Sequence, residues 1–347
     1  MTANGYVINR AAMSINQTQQ QLFQLIRTKL PVEASVADEV AKLLNLSTDS
    51  AYRRIRGEKQ ITLEELEILV VNFKISLDRL MNIPTGGTLF QGNYVNPKTY
   101  RFDQYLTGMM HSLVYFNSFK RKELYYSCKD MPPFHHYHYR EVAAFKWFFW
   151  LKTSLQFPEF ANRKFKFTDY PDDFFLLDQK VLSLYLDLPS TEIWNYESMN
   201  IILRQIEFYR DGQVFESDED ILRLYEALEK TWNHIEVQAA LGYKFMHSDS
   251  EKTIRGEFKM YFNEVHLGDN SMLVLLDDVK TSIVVHTTFN YMMTTDVLFN
   301  ENMHNYMQNL TKRSTLISEV SEKERSRFFR IIRERIARRK DTLHSKT

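Results

Sequence analysis

Apolar residues in the first part of the chain recur at the three- and four-residue spacing that is typical of helices. Leu22, Ile26 and Leu30, for example, form one face of the first predicted helix, and Pro31 ends it. The pattern therefore predicts an all-α segment before the first cluster of turn residues. Its five helices are expected over residues 18–30, 35–44, 48–56, 62–73 and 77–81.

The second and third of these helices are joined by a short corner. Asn45 ends the second helix, since Asn tolerates the left-handed conformation that a tight corner requires. Ser47 follows as an N-cap, and Gly57 closes the third helix. Ala51 and Ile55 are expected to be buried, which leaves the opposite face polar and basic. This arrangement predicts a helix-turn-helix with an exposed recognition face.

The fourth helix is predicted to begin with a capping box, in which Thr62 and Glu65 satisfy each other's backbone N–H groups. Its apolar residues are expected to contribute to the core of the segment. They are Leu63, Leu66, Ile68, Leu69 and Phe73.

The segments VADEVAKLLNLS, RIRGEKQIT and LEELEILVVNFKISLDRL resemble the Cro-repressor (XRE) class of DNA-binding domain. That class is a five-helix bundle whose third helix enters the major groove, so the resemblance implies a DNA-binding transcriptional regulator. Residues at the base-contacting positions of the class are Thr48, Asp49, Tyr52 and Arg53, and those at its phosphate-contacting positions are Ser47, Arg56, Lys59 and Gln60.

The sequence departs from this class at two places. Asn45 replaces the usual Gly of the turn, which is a mild change. Arg54 and Ile55 stand where an apolar residue and a Glu are usual, so the third helix is expected to be rotated slightly.

A segment rich in Pro and Gly at residues 82–98 is expected to be a linker. Beyond it we expect a mainly helical, aromatic-rich region over residues 99–250, and a β meander with C-terminal helices over residues 251–347. Residues 1–17 are expected to be a flexible tail, and residues 18–81 the helix-turn-helix domain. The predicted fold is therefore multidomain: an N-terminal all-α Cro-like bundle and a larger, mainly helical α+β region with a small antiparallel meander.

Within the larger region a strand is predicted at residues 123–128, and the alternation of Phe258, Met260 and Phe262 predicts the first strand of the meander. SMLVLLDD and TSIVVHTTFNYM are its other strands. Ser190 and Ser217 are expected to cap helices. Helices are expected over residues 102–119, 140–155, 174–186, 191–210, 218–234, 297–311 and 321–340.

A second resemblance covers parts of this region. The stretches AAFKWFFW (143–150), FNYMMTTD (289–296) and STLISEVSEKERSRFF (314–329) resemble the C-terminal regions of long XRE-type regulators found in Bacteroidota. This resemblance implies a regulator and no particular ligand.

Composition restricts the remaining possibilities. The formal net charge is zero, so an anion-binding surface must be local. Arg53, Arg54, Arg56 and Lys59 form such a patch, opposed only by Glu58. No apolar run approaches the length of a membrane span, and the N-terminus lacks the apolar core of a signal peptide, so a cytoplasmic protein without membrane contact is expected.

Three histidines invite a metal hypothesis. His136 and His138 could face one ion from a strand, but a zinc site would need further ligands from distant residues. The alternative is a partly exposed aromatic loop that contains His135 as well, and we favour it. Cys128, the only cysteine, lies in an apolar, tyrosine-rich stretch that is typical of an inert buried thiol.

No common catalytic motif is present, so neither an enzyme nor a cofactor is predicted. We expect a transcriptional regulator that binds double-stranded DNA as a homodimer. The aromatic residues of the larger region either form core or line a pocket for a small-molecule effector, and a protein effector is an alternative. The basic helix over residues 321–340 is either solvated, a second DNA contact or a dimer helix. The competing function is a protein-interaction adaptor that keeps the helix-turn-helix fold without binding DNA.

Overall fold

The structure is a computed structural model that describes residues 15–30, 34–73, 75–81, 87–93, 95, 100–265, 268–287 and 289–344. The chain divides into two compact units, Met1–Thr88 and Leu89–Thr347, which we call the N-terminal unit and the C-terminal unit. Residues 1–14 of the expected tail and residues 82–86, 94 and 96–98 of the expected linker lie outside the described residues.

The described part of the N-terminal unit is helical, as the apolar spacing predicted. Leu22 and Ile26 are fully buried and belong to one core with Val40, Ala51 and Leu69. Each helix thus contributes apolar residues on one face, and this shared core holds the unit together. The helices are α1 (Ile15–Lys29), α2 (Val36–Leu44), α3 (Thr48–Ile55), α4 (Leu63–Asn72) and α5 (Leu77–Leu80).

Two apolar residues of α4 do not lie in the core, contrary to the prediction. Leu63 is 80% exposed and Ile68 is 39% exposed. The buried face of α4 runs through Leu66 and Leu69. Ile68 lies about 100° around the helix from Leu69 and therefore points away from the buried face. Leu63 is the first residue of α4 and lies before the buried face begins. Hydrophobicity alone therefore overestimated the buried part of this helix.

The C-terminal unit combines helices with a mixed sheet, which confirms the coarse α-plus-β prediction. Its helices are α6 (Phe102–Asn117), α7 (Pro133–His136), α8 (Arg140–Phe149), α9 (Asp172–Leu186), α10 (Glu197–Asp211), α11 (Asp218–Leu241), α12 (Val297–Lys312) and α13 (Glu322–His344). Its strands are β1 (Gln91–Asn93), β2 (Lys122–Cys128), β3 (Ser190–Trp194), β4 (Phe258–Phe262), β5 (Ser271–Leu276), β6 (Val279–Val285), β7 (Tyr291–Thr294) and β8 (Thr315–Leu316).

The strands form one sheet in the order β1-β7-β6-β5-β2-β3-β4-β8. β2, β3 and β4 run parallel to one another, and the other neighbouring pairs are antiparallel. The predicted meander is therefore wrong in its first strand, because β2 and β3 lie between β4 and β5. Alternation identified β4 as a strand but could not identify its neighbours. The parallel pairs need long crossovers, which the helices between these strands supply.

The stretch expected to be one helix over residues 191–210 contains a strand instead. All five residues of β3 are buried, and β3 lies between β2 and β4 inside the sheet. The helix begins only at Glu197. Ser190 is therefore not a helix cap, whereas Ser217 caps α11 as predicted and accepts a hydrogen bond from the Asp220 backbone N–H at 3.2 Å.

Aromatic side chains make up much of the core of the C-terminal unit. The rings of Phe145 and Phe215 stack at 6.0 Å, and those of Trp194 and Trp232 meet edge to face at 5.6 Å. α8 is buried nearly all round, as predicted, and its last expected turn is a π-helical turn, Trp150–Ser154. Packing is thus the main role of the aromatic residues.

The basic C-terminal helix α13 is docked on this core. Its apolar residues, among them Phe328, Phe329 and Ile336, are buried on the predicted side. Several of its cations pair with carboxylates of the same unit: Arg333 with Glu236, Arg339 with Glu207 and Lys340 with Glu229. These pairs neutralise three of the nine Lys and Arg side chains of α13 within the C-terminal unit.

Candidate nucleic-acid interface

The corner between α2 and α3 has the backbone geometry that the sequence predicted. Asn45 adopts the left-handed conformation, with φ 52° and ψ 51°. Ser47 caps α3, and its hydroxyl oxygen accepts a hydrogen bond from the Ser50 backbone N–H at 3.2 Å. Ala51 is fully buried in the core that α2 and α3 share. α3 is therefore fixed at its beginning and along its inner face.

The side chains predicted to contact DNA all lie on the exposed surface of α3 and of the residues on either side of it. Tyr52 is 46% exposed, and the side chains of Arg53 and Arg56 are 55% and 59% exposed. Because these residues are free of core packing, they are accessible to a partner. We call this surface the α3 face, and it comprises Ser47, Thr48, Asp49, Tyr52, Arg53, Arg56, Lys59 and Gln60.

Arg54 does not belong to the basic patch in which the sequence placed it. Its side chain is 3% exposed, and the guanidinium donates two hydrogen bonds to the Glu65 carboxylate, at 2.9 and 2.6 Å. A third hydrogen bond runs to the Ser50 carbonyl oxygen at 3.1 Å. Arg54 is thus buried together with its counter-ion, and its role is structural.

Glu65 serves two partners in this arrangement. It completes the predicted capping box with Thr62, whose backbone N–H donates to the Glu65 carboxylate at 3.1 Å. The hydrogen bond from Arg54 is the main reason why the pKa of Glu65 is lowered. The carboxylate is therefore held ionised between the start of α4 and the inner face of α3.

A residue that the sequence reasoning missed holds the segment after α3. Gln19 of α1 is 3% exposed, and its amide nitrogen donates to the carbonyl oxygens of Arg54 and Lys59, at 2.7 and 2.8 Å. Its amide oxygen accepts from the Ile61 backbone N–H at 3.1 Å. The signal was present in the sequence, because Gln19 continues the apolar face of Leu22 toward the N-terminus.

The α3 face carries both charge signs. Its three cations, Arg53, Arg56 and Lys59, and its one anion, Asp49, leave a formal charge of +2, which the adjacent Glu58 lowers to +1. Glu58 lies 3.9 Å from Arg53 and 3.4 Å from Arg56. Because all of these groups are exposed, such ion pairs are weak and can open for another anion.

Tyr52 lies beside this cluster and contributes a flat ring. The Arg56 guanidinium lies 5.9 Å from the centre of that ring. Thr48, at the start of α3, donates from its hydroxyl to the Asp38 carboxylate at 3.3 Å. The face therefore offers guanidinium and hydroxyl donors, a carboxylate acceptor and an aromatic surface on one short helix, which are the groups that read base edges and phosphates.

The histidines considered for a metal site have other surroundings. His135, His136 and His138 are each at most 1% exposed, so the expected partly exposed loop is wrong. His135 and His136 belong to the short helix α7. Among the residues that the structure describes, no group of three His, Cys, Asp or Glu side chains is placed to hold a metal ion. Cys128 is fully buried, as expected, and burial raises the pKa of its thiol.

His135 belongs to a buried polar network around Glu192 of β3. The Glu192 carboxylate lies 3.2 Å from His135 Nε2, and it accepts hydrogen bonds from Trp194 Nε1 at 3.0 Å and from the Tyr185 hydroxyl. Burial would raise the pKa of Glu192, but His135 and Lys244 lower it below its usual value. Sequence alone does not indicate this network, since the pattern around Glu192 predicts a helix.

No protein-family profile, curated protein or solved structure matches this chain. Among the described helices, none has the length and apolar character needed to cross a membrane.

Proposed function

We propose that the chain is a transcriptional regulator that binds double-stranded DNA by placing α3 in the major groove. The observation that supports this proposal most strongly is the sorting of arginines around α3. Arg53 and Arg56 point to solvent, whereas Arg54 is buried against Glu65. The resemblance to the Cro-repressor class assigns Arg53 and Arg56 to DNA contacts. At the position of Arg54 it implies a residue that faces the core.

The chemistry of each side chain suggests its role at the duplex. Arg53 can donate two hydrogen bonds to the O6 and N7 atoms of a guanine, and Asp49 can accept from the N4 amino group of a cytosine. Arg56 and Lys59 can neutralise phosphates on either side of the groove. Arg53 and Asp49 would determine the sequence preference. Arg56 and Lys59 would determine most of the affinity.

A homodimer follows from the size of such an interface. A single module of this kind buries only about 600–1,000 Å² on DNA. We expect about four phosphate contacts per copy, and each adds roughly 0.9 to the slope with which the logarithm of the binding constant falls against the logarithm of the salt concentration. Such an interface gives weak binding at physiological salt. We therefore propose that two copies bind half-sites about one helical turn apart, with the C-terminal unit as the dimer interface. Sedimentation of the full chain at micromolar concentration, with and without DNA, tests this, and a monomer in both cases would contradict it.

The DNA proposal is tested with the full chain and a duplex obtained by selection from a random pool. Arg53→Ala should reduce the discrimination between the selected duplex and its base-substituted variants. Arg56→Ala should weaken binding to all duplexes alike and reduce the salt dependence by about one phosphate contact. Arg204→Ala is the matched control, because this arginine is 67% exposed in the C-terminal unit. Equal effects of all three substitutions would contradict the proposal.

A protein-interaction adaptor remains the second candidate. The low charge of the α3 face and the exposure of Leu63 and Val71 on α4, at 80% and 68%, favour a protein partner. The two functions give different results with the same variants. Arg53→Ala reduces the sequence preference of a salt-sensitive mobility shift, and Arg56→Ala weakens that shift, only if the α3 face binds DNA.

A further inference from the structure

The C-terminal unit contains a cavity of about 410 Å³. It lies between α6, the segment around α7, Trp150 and the strands β5 to β7. This volume lies in the range of sites that hold small molecules, which is about 300–1,000 Å³. Much of its wall is aromatic or sulfur-containing, and the side chains that matter most here are Met109, Phe134, Trp150, Phe289 and Met293.

His136 is the unusual residue of this wall. It is 1% exposed, and neither of its two ring nitrogens has a hydrogen-bond partner. Its ring meets that of Trp150 edge to face at 5.8 Å. Buried polar groups are almost always paired, because an unpaired one loses the hydrogen bonds that water would provide. A buried imidazole without a partner in the wall of a cavity therefore points to a ligand group.

The charged groups near the cavity are already paired with one another. Lys129 forms an ion pair with Asp269. Asp130 lies 3.3 Å from the Lys146 ammonium, which also donates to the Gln205 side-chain oxygen at 3.0 Å. None of these groups is left over to neutralise a charged ligand, so the cavity favours an uncharged one.

The protonation state of His136 restricts the chemical class of the ligand further. Burial, together with the nearby Lys146 ammonium, lowers the pKa of His136 well below its usual value. The imidazole is therefore neutral at physiological pH and offers one donor and one acceptor nitrogen. A hydroxyl group matches either nitrogen, because it can donate as well as accept.

We propose that this cavity binds an uncharged phenol of one or two rings, with its hydroxyl hydrogen-bonded to His136 and its rings against Trp150 and the neighbouring methionines. Aromatic and methionine side chains make favourable contacts with a flat ring and adapt to its shape. The site lies wholly within the C-terminal unit. Its occupation does not depend on whether the α3 face binds DNA, so the two proposals fail independently.

The test uses the full chain, with 2-naphthol as probe and naphthalene as the matched hydrocarbon. Titration calorimetry should show saturable binding of one 2-naphthol per chain, and the intrinsic tryptophan fluorescence should change in parallel. His136→Phe should weaken 2-naphthol binding by roughly three- to tenfold, the value of one hydrogen bond. The same substitution should leave naphthalene binding nearly unchanged.

Gly108 provides a pair of variants that probe the cavity without touching His136. Gly108 is an exposed residue of α6 at the edge of the cavity, and a Cβ built there meets no atom within 4 Å. Gly108→Ala should therefore keep 2-naphthol binding, whereas Gly108→Trp should weaken it by covering this edge of the cavity. Circular dichroism confirms that each variant is folded. If His136→Phe fails to fold, His136→Leu replaces it, with the same expected loss of 2-naphthol binding and the same nearly unchanged naphthalene binding.

Three results would overturn the proposal. The first is the absence of saturable binding of 2-naphthol by the folded wild type. The second is unchanged binding by folded Gly108→Trp, which would put the probe elsewhere. The third is an equal loss of affinity for 2-naphthol and for naphthalene in His136→Phe, which would show that His136 makes no hydrogen bond to the 2-naphthol hydroxyl.

Discussion

Replacing Arg54 with alanine should destabilise the N-terminal unit, although its neighbour Arg53 can be replaced without a comparable cost. Arg54→Ala removes three hydrogen bonds and leaves the Glu65 carboxylate without its cation. Losing one partner of a buried ion pair typically costs about 3–5 kcal/mol. The Glu65 side chain is 16% exposed and can recruit some water, so we expect the lower end, about 3 kcal/mol.

The consequence can be measured locally in the full chain. Hydrogen-exchange mass spectrometry reports the protection of peptides from α2, α3 and α4 separately from the C-terminal unit. A loss of about 3 kcal/mol should accelerate exchange of the most protected amides by roughly a hundredfold. Arg53→Ala, whose side chain is 55% exposed, should change the same protection by less than about 0.5 kcal/mol.

A double substitution separates the ion pair from simple packing. Arg54→Met with Glu65→Met removes both charges and should recover part of the lost protection, because no buried charge is then left unpaired. Unchanged exchange in Arg54→Ala would refute the structural role of Arg54. Such a result would return Arg54 to the solvent-facing basic patch.

Gln19→Ala should release the segment after α3, so that residues 54–61 exchange faster and DNA affinity falls although the α3 face is intact. Asp178 is held by the Tyr170 hydroxyl, and burial raises the pKa of Asp178 to about 8 from 3.8. Between these two pH values the folded chain keeps a proton that the unfolded chain loses. The stability that Asp178 contributes is therefore fully present below pH 3.8 and falls by up to about 1.4 kcal/mol per pH unit as the pH rises toward 8. Asp178→Asn should flatten this decline in denaturant titrations at several pH values, and an unchanged slope would contradict it. Asn45→Val should destabilise the N-terminal unit and Asn45→Gly should not, as read from hydrogen exchange of α2 and α3, because Asn45 has a positive φ of 52°.

The sequence was most informative where structure is determined by near neighbours. The left-handed Asn45, the Ser47 cap and the capping box between Thr62 and Glu65 depend on residues within one turn of each other. Sequence alone identified them for that reason. The exposure of the predicted DNA-contacting residues followed in turn, since burying Ala51 fixes which side of α3 faces outward.

The sequence was least informative where a side chain depends on a distant partner. Arg54 is buried because Glu65 approaches from another helix, and nothing within the α3 pattern indicates this. His135 pairs with Glu192, which is 57 residues away in the sequence, so the histidine segment looked like a loop. β3 is a strand because β2 and β4 flank it, and its five residues are too few for periodicity to identify.

The most direct test of the account is binding of the full chain to a random duplex pool in dilute salt, followed by titration of the recovered sequences by fluorescence anisotropy. We predict recovery of related sequences whose binding weakens steeply with salt and less steeply in Arg56→Ala. A chain whose α3 amides are protected from exchange, yet which binds no duplex even at the lowest salt, would contradict the proposed function.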